Sequence, residues 1–191
     1  MTGAILAGGL SRRMGSNKAF IKIDGTTIIE RSVKLFREGF DDFFIVANDL
    51  LLYERLSVRV VSDIIKGAGS LGGIYTAVFH SKDDRVFVTA CDMPSLDLKS
   101  IKKTAEVTLG GFDAIVPFIG GRFHPMHAVY SRRCLKPVKA MIDEGNLRVN
   151  DLFERVRVKK LTEDHFKGLP IESSVENINT REDLIRIGHT E

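Results

Sequence analysis

The chain has 191 residues, 43% of them apolar and 28% charged, with a formal net charge of +3. Those proportions suit one folded domain over residues 1–191 and exclude a disordered chain, and the charge is too small and scattered to mark a nucleic-acid surface. No apolar run approaches the ~20 residues of a membrane span and no leader pattern is visible; with two cysteines, Cys91 and Cys134, far apart, the expectation is a cytoplasmic protein with no membrane partner and no cysteine-built zinc site.

Apolar runs and helical patterns alternate along the chain. Ala4-Ile5-Leu6-Ala7 is a short apolar run closed by Gly8-Gly9, the pattern of a buried parallel strand running into a loop. Thr27-Ile28-Ile29-Glu30 has the spacing of a capping box, and Ile29, Val33 and Phe36 recur at helical intervals as far as Gly39. Strands are predicted at 43–47 and 58–61, then a helix from Gly72 to Ser81 entered through glycine. Arg85 to Ala90 reads as a fourth strand, stopped by Cys91-Asp92-Met93-Pro94. Ser95 is the expected cap of the next helix, with Leu98, Ile101, Ala105 and Leu109 as its inner stripe. Ala114 to Pro117 and His127 to Tyr130 are strand-like, and 132–144 is helical up to Gly145, with Pro137 placed to break its early turns. Arg155 to Lys160 alternates as an edge strand does, and Thr180 is the expected cap of a last helix with Glu182 and Asp183 in its first turn.

This alternation, without internal repeat or linker, predicts a three-layer, doubly wound α/β fold with a mainly parallel sheet. Ligands of such sheets bind beyond the carboxyl ends of the strands. Gly8-Gly9, Asn48, Asp63 and Asp92 follow the first four predicted strands and are the residues to examine.

The densest chemistry lies in Leu6-Ala7-Gly8-Gly9-Leu10-Ser11-Arg12-Arg13-Met14-Gly15-Ser16-Asn17-Lys18. Glycines let the backbone approach a phosphate, exposed amides offer donors, and Arg and Lys add charge. The run departs from Gly-x-Gly-x-x-Gly, which disfavours a nicotinamide-binding oxidoreductase, and Lys18 lacks the glycine before it and the Ser/Thr after it that a P-loop requires. On chemistry alone, a glycine-rich turn with surface cations is a second reading. Asp92 is either a carboxylate at the sheet edge able to anchor Mg²⁺, which takes one or two carboxylates plus substrate phosphates, or the cap of the helix after Pro94. Asp63 is either a nucleoside contact or a turn residue.

The pattern Leu6-Ala7-Gly8-Gly9-x-Ser11-x-Arg13-Met14-Gly15-x-x-Lys18 resembles the signature of nucleotidyltransferases of the nucleotide-diphospho-sugar transferase fold. Its double glycine resembles the branch that makes the molybdenum cofactor guanine dinucleotide. Gly69-Ser70-Leu71-Gly72-Gly73, Cys91-Asp92-Met93-Pro94, His124-Pro125 and Asn177-Ile178-Asn179-Thr180 resemble further segments of that family in the same order, with Ser70 where the family has proline. The resemblance implies a Rossmann-like fold and transfer of GMP from GTP to the phosphate of molybdopterin, metal-loaded or metal-free, with Mg²⁺ as cofactor and pyrophosphate as product. It implies that Leu6, Ala7, Gly8 and Gly9 border the nucleotide, that Arg13 and Lys18 hold the triphosphate, and that Asn48 and Asp63 contact the nucleoside. Asp92 and Asn179 would lie on the metal, and Arg13, Lys18 and Asp92 would form the catalytic set. Molybdenum-cofactor pathway proteins are the implied partners. A relative using CTP or another phosphate acceptor, and a catalytically silent GTP-binding adaptor, are the alternatives; the presence of Arg13, Lys18 and Asp92 favours an enzyme.

Two histidines, His124 and His127, without a third ligand argue for packing or a surface loop rather than a metal site, with His124 expected to face the second substrate. Arg148 is either a contact for the pterin phosphate or a solvated arginine, and Cys91, with no base beside it, is a buried and inert thiol.

Overall fold

The structure is a computed structural model that describes residues 1–8, 17–178, 180 and 183. Strand β1 (Thr2–Leu6) is followed by a small hairpin, β2 (Lys22–Ile23) and β3 (Thr26–Thr27), which leads directly into helix α1 (Ile28–Gly39). The predicted capping box is formed: Thr27 Oγ1 accepts from Glu30 N at 3.3 Å, and Glu30 accepts from Thr27 N at 2.8 Å. Next come β4 (Asp42–Val46), β5 (Val60–Val61), α2 (Gly69–His80), β6 (Arg85–Ala90) and α3 (Leu98–Glu106). The second half adds β7 (Ala114–Ile119), β8 (Arg122–Phe123), β9 (His127–Ser131), α4 (Leu135–Asp143), β10 (Val158–Leu161) and α5 (Ile171–Ser174).

The strands form one sheet in the order β10-β7-β9-β6-β1-β4-β5, with β8 hairpinned onto β7 through Gly120 and Gly121. Only β8 and β9 among the described strands of this sheet run against their neighbours; β10, β7, β6, β1, β4 and β5 are parallel. The expected mainly parallel sheet is thus observed. Its centre is β1, held between β4 and β6 with Leu6 opposite Val46 on one side and Ala90 on the other.

Alternate side chains of these strands build two cores, as the two-residue period of a strand demands. Ile5, Ile45, Phe87, Ile115 and Val129 meet Ile29, Val33 and Phe36 of α1 and Ile101 of α3. On the other face Ala4, Phe44, Val88, Val116 and Ala128 meet Leu71, Ile74 and Val78 of α2 and Val138 and Met141 of α4. The three layers follow from this division.

Several local expectations are corrected. Asp97, not Ser95, caps α3, its Oδ2 accepting from Ser100 N at 2.7 Å. Both residue types suit an N-cap; of the predicted stripe Ile101 is buried, with Ser100 and Thr104 beside it, while Leu98 and Ala105 are half-buried and Leu109 lies beyond the end of the helix. The strand expected at 58–61 is reduced to Val60–Val61, although Arg59 O still accepts from Ile45 N at 2.9 Å. Helix α2 begins at Gly69, whose φ of +56° suits glycine. The helical stretch 132–144 splits into a 3₁₀ turn, Arg132–Cys134, and α4, which places Pro137 in a first turn where a missing backbone N–H costs no helical bond. Thr180 makes its predicted capping contacts, accepting from Asp183 N at 3.1 Å and donating its own N–H to Asp183 Oδ2 at 2.9 Å.

The sheet centre has one further requirement. Phe36, Phe40, Phe43 and Phe87 form an aromatic cluster, with Phe36 and Phe40 rings 4.8 Å apart. It rests directly on Gly3 of β1: a Cβ there would lie 2.7 Å from Phe36 Cδ1 and 2.9 Å from Phe40 Cδ2. Gly3→Ala is therefore expected to destabilise the protein by about 1–3 kcal/mol through overpacking. Urea unfolding should show a lower midpoint at an unchanged slope.

Candidate active site

The flush ends of β1, β4 and β6 set the site. Beyond Leu6 the chain reaches Gly8; beyond Val46 it reaches Asn48; beyond Ala90 it reaches Asp92. Asp63, after the short β5, joins this edge: Asn48 Nδ2 donates to Asp63 Oδ2 at 2.8 Å, and Asp63 N donates to Asn48 Oδ1 at 3.2 Å. The pair abuts Gly8, where a Cβ would sit 3.3 Å from Asp63 Oδ2 and 3.7 Å from Asn48 Nδ2. A side chain at this point would crowd the pair. Among the described residues Asp63 Oδ1 is buried without a hydrogen-bond partner, an acceptor that costs free energy until a donor reaches it.

A second cluster forms around Asp92. Its carboxylate is held by Asn177 Nδ2, which donates to Oδ1 at 3.0 Å, and by Lys18 Nζ, 3.5 Å from Oδ2. Lys18 Nζ also donates to Ile178 O at 2.7 Å, and Ile178 N donates to Asp92 O at 2.8 Å. Ile178 is buried against Ile23 and Ile28, so a small apolar cluster beside the β2–β3 hairpin anchors the segment that delivers Asn177. Partial burial raises the Asp92 pKa, and the Lys18 charge and the hydrogen bonds from Lys18 and Asn177 offset part of that rise. The reading of Asp92 as a helix cap is overturned, because that role belongs to Asp97.

The Ala7 amide donates to Val46 O at 2.8 Å and so prolongs the ladder between β1 and β4. Leu6 packs its side chain against α2, where a Cβ on Gly73 would lie 2.9 Å from Leu6 Cδ1. Gly73 of the sequence signature is thus a close helix–strand contact in this chain, while Gly72 is crowded by Ala68 Cβ and Ile65 O from the segment that enters the helix. Gly9, Arg12, Arg13 and Asn179 lie outside the described residues.

Beside Asp92 opens a cleft of about 460 Å³, lined by Met93, Arg122, His124, Met126 and Asn177 among others. His124 lines it, nearly buried, its Nε2 3.2 Å from Ile119 O and its pKa lowered by burial. His127 belongs instead to the core of β9: it is fully buried, stands edge-on to Phe87 at 5.1 Å, and is pushed down to about 4 by burial. Arg148 is exposed, pairs with Asp151 at 3.8 Å and does not line this cleft. Burial pushes the Cys91 thiol up to about 12, which keeps it protonated and inert.

Among the described residues no group of three or more His, Cys, Asp or Glu side chains is placed to hold a metal, and no helix is long and apolar enough to cross a membrane. Mg²⁺ does not need such a group: one carboxylate with substrate phosphates is enough. Asp92, part-buried beside the cleft and offering hard oxygen donors, fits that requirement. Asn177 sits in a sequence motif that assigns it no role of its own; its bond to Asp92 appears only in the fold.

A mainly parallel α/β sheet that brings a glycine-bordered polar pair and a carboxylate–lysine pair to one carboxyl edge is suited to hold a polar ligand there. The family model of the MobA-like NTP transferase domain matches residues 3–160, and this chain belongs to that family. The chain is 36% identical over 186 residues to a Desulfosudis oleivorans protein named molybdenum cofactor guanylyltransferase, covering 96% of this chain and 92% of the relative. It is 34% identical over 186 residues to a probable molybdenum cofactor guanylyltransferase of Pelotomaculum thermopropionicum, covering 97% and 90%. The crystal structure of molybdopterin-guanine dinucleotide biosynthesis protein A from Archaeoglobus fulgidus superposes with a TM-score of 0.82 at 29% identity, over 97% of this chain and 96% of that one. The fold is that of the nucleotide-diphospho-sugar transferases, as the sequence signature implied.

The Asp92 environment is directly measurable. Carboxyl NMR on the metal-free protein should show Asp92 titrating above its ordinary value of 3.8. In Lys18→Met the midpoint should move higher still, because the lysine charge that favours the carboxylate is gone.

Proposed function

We propose that this chain transfers the GMP moiety of GTP to the phosphate of molybdopterin, metal-loaded or metal-free, with Mg²⁺ as cofactor. A phosphate oxygen of the acceptor attacks the α-phosphorus of GTP, the bond from that phosphorus to the β-phosphate bridging oxygen breaks, and pyrophosphate leaves. The names of the relatives, molybdenum cofactor guanylyltransferase, support the substrates. The single observation that carries the reading is the meeting, at one sheet edge, of the Gly8–Asn48–Asp63 cluster and the Lys18–Asp92 pair beside an open cleft.

The residues divide the work. Asp63 Oδ1, buried and unpartnered, is an acceptor for the N–H groups on the guanine edge. Lys18, with Arg13 from the same glycine-rich sequence segment, takes the triphosphate and offsets the charge that gathers on the departing pyrophosphate. Asp92, with Asn179 as the second expected ligand, would hold Mg²⁺, which when bound supplies charge neutralisation at the phosphate oxygens. The cleft containing His124 and Arg122 receives the acceptor, so that the attacking oxygen and the α-phosphorus are brought together by position rather than by a covalent intermediate.

Molybdenum-cofactor pathway proteins are the expected partners for delivery and handover.

GTP with Mg²⁺ is expected to stabilise the protein by about 2.7 kcal/mol at a hundredfold excess over its Kd, and CTP, UTP or ATP at the same concentration by less. Thermal-shift measurements across the four triphosphates check this, and an equal or larger shift with CTP overturns the guanine assignment. Asp92→Asn should reduce pyrophosphate release by at least about a hundredfold. Its melting temperature should hold or rise, because burial penalises the Asp92 charge that the substitution removes. Wild-type turnover in this variant at limiting Mg²⁺ would exclude Asp92 from the metal site.

A further inference from the structure

Between β4 and β5 the chain makes a 3₁₀ turn, Leu51–Leu56, that begins in an exposed run: Leu50, Leu51 and Leu52 are 47%, 80% and 48% exposed. Tyr53 is the residue of this turn that points inward, and only 1% of it is exposed. Its ring packs against Phe20 at 5.4 Å. Its hydroxyl donates to Ala7 O at 3.1 Å and accepts from Asn17 Nδ2 at 3.1 Å. These two partners stand on either side of the glycine-rich segment: Ala7 precedes Gly8, and Asn17 precedes Lys18.

Each partner is itself fixed by other bonds. Ala7 N is bound to Val46 O at 2.8 Å, and Asn17 Oδ1 accepts from Ala19 N at 3.1 Å, capping the 3₁₀ turn that begins at Lys18. Lys18 in turn reaches Ile178 O and Asp92. One hydroxyl therefore joins the nucleoside side of the site to its phosphate side. Burial pushes the Tyr53 pKa up to about 12, so the proton that bonds Ala7 O stays in place at neutral pH.

We infer that Tyr53 is a positioning residue whose hydroxyl sets the spacing between Gly8 and Lys18, and hence the fit of the site to a nucleoside triphosphate. The packing alone does not need this hydroxyl, since phenylalanine has the same ring. What phenylalanine cannot do is bridge Ala7 to Asn17. The inference rests on the nucleotidyl-transfer reading of the same site, and its test separates the two.

Tyr53→Phe keeps the contact with Phe20 and removes the bridge. Loss of this buried bond is expected to raise the Kd and KM for GTP about tenfold, with the KM for the acceptor unchanged. Asn17→Ser keeps a capping hydroxyl but is too short to reach Tyr53, and should weaken GTP binding in the same direction. Because both act through one bridge, the double variant should be no weaker than the weaker single one. Thr104→Val, which removes a buried hydroxyl bonded at 3.1 Å to Ser100 O in α3, supplies the control for stability loss and should leave the Kd for GTP unchanged. A lowered melting temperature in Tyr53→Phe with an unchanged Kd for GTP overturns the inference, as do fully additive losses in the double variant. The variant-to-wild-type ratio is taken on whichever triphosphate the wild type binds most tightly. Preference for another base overturns only the guanine reading, whereas a wild type that binds no triphosphate overturns both.

Discussion

The site depends on one constraint, the register of β1 between two parallel neighbours. Leu6 lies opposite Val46 and Ala90 at the same level of the sheet. Parallel strands that stop together release their loops on the same edge, and no side chain has to travel far for those loops to meet. Gly8, Asn48 and Asp92 are all within two residues of these strand ends. A slip of one residue in this ladder would turn the apolar faces of β1 over and separate the loops as well. Position of the site and integrity of the core are therefore one requirement. Gly3, under the Phe36–Phe40 cluster, serves both.

Charge in the site is balanced rather than simply neutralised. Burial works against the Asp92 carboxylate, while Lys18 and Asn177 favour it, and the outcome is a carboxyl group that holds its proton more readily than a solvated one. Asp113 shows the opposite balance. Burial would raise it, but hydrogen bonds from Arg157 and Arg133 outweigh that and bring it down to about 2. The difference is instructive. Asp113 joins β7 to the segments before α4 and β10 through two guanidinium partners and is saturated as a structural tie. Among the described residues Asp92 has one cation, Lys18 at 3.5 Å, and lies beside an open cleft.

Three segments distant in sequence converge on Asp92: Lys18 after the glycine-rich segment, the end of β6, and Asn177–Ile178 near the carboxyl terminus. Ile178 is the anchor of the third, buried with Ile23 and Ile28. An apolar contact thus places a polar one. The same division recurs at Tyr53, where ring packing on Phe20 delivers a hydroxyl to two backbone-linked partners. Hydrophobic burial is non-directional and supplies the hold; the hydrogen bonds it delivers supply the geometry.

What the sequence determined by itself was the alternation of elements and the chemistry at their ends. Strand runs such as Arg85 to Ala90, the capping box at Thr27 and Glu30, and the polar residues after successive strands were legible because periodicity and capping are local properties. Where two local signals competed, as Ser95 and Asp97 did for the α3 cap, the sequence had no means to choose. The structure decided which side chains meet. The Asn48–Asp63 pair, the Asn177–Asp92 bond, the burial of His127 and the inward turn of Tyr53 all join or bury residues according to sheet register and packing. Those are settled by the tertiary fold, because a contact across 85 positions, such as Asn177 to Asp92, leaves no periodic trace along the chain.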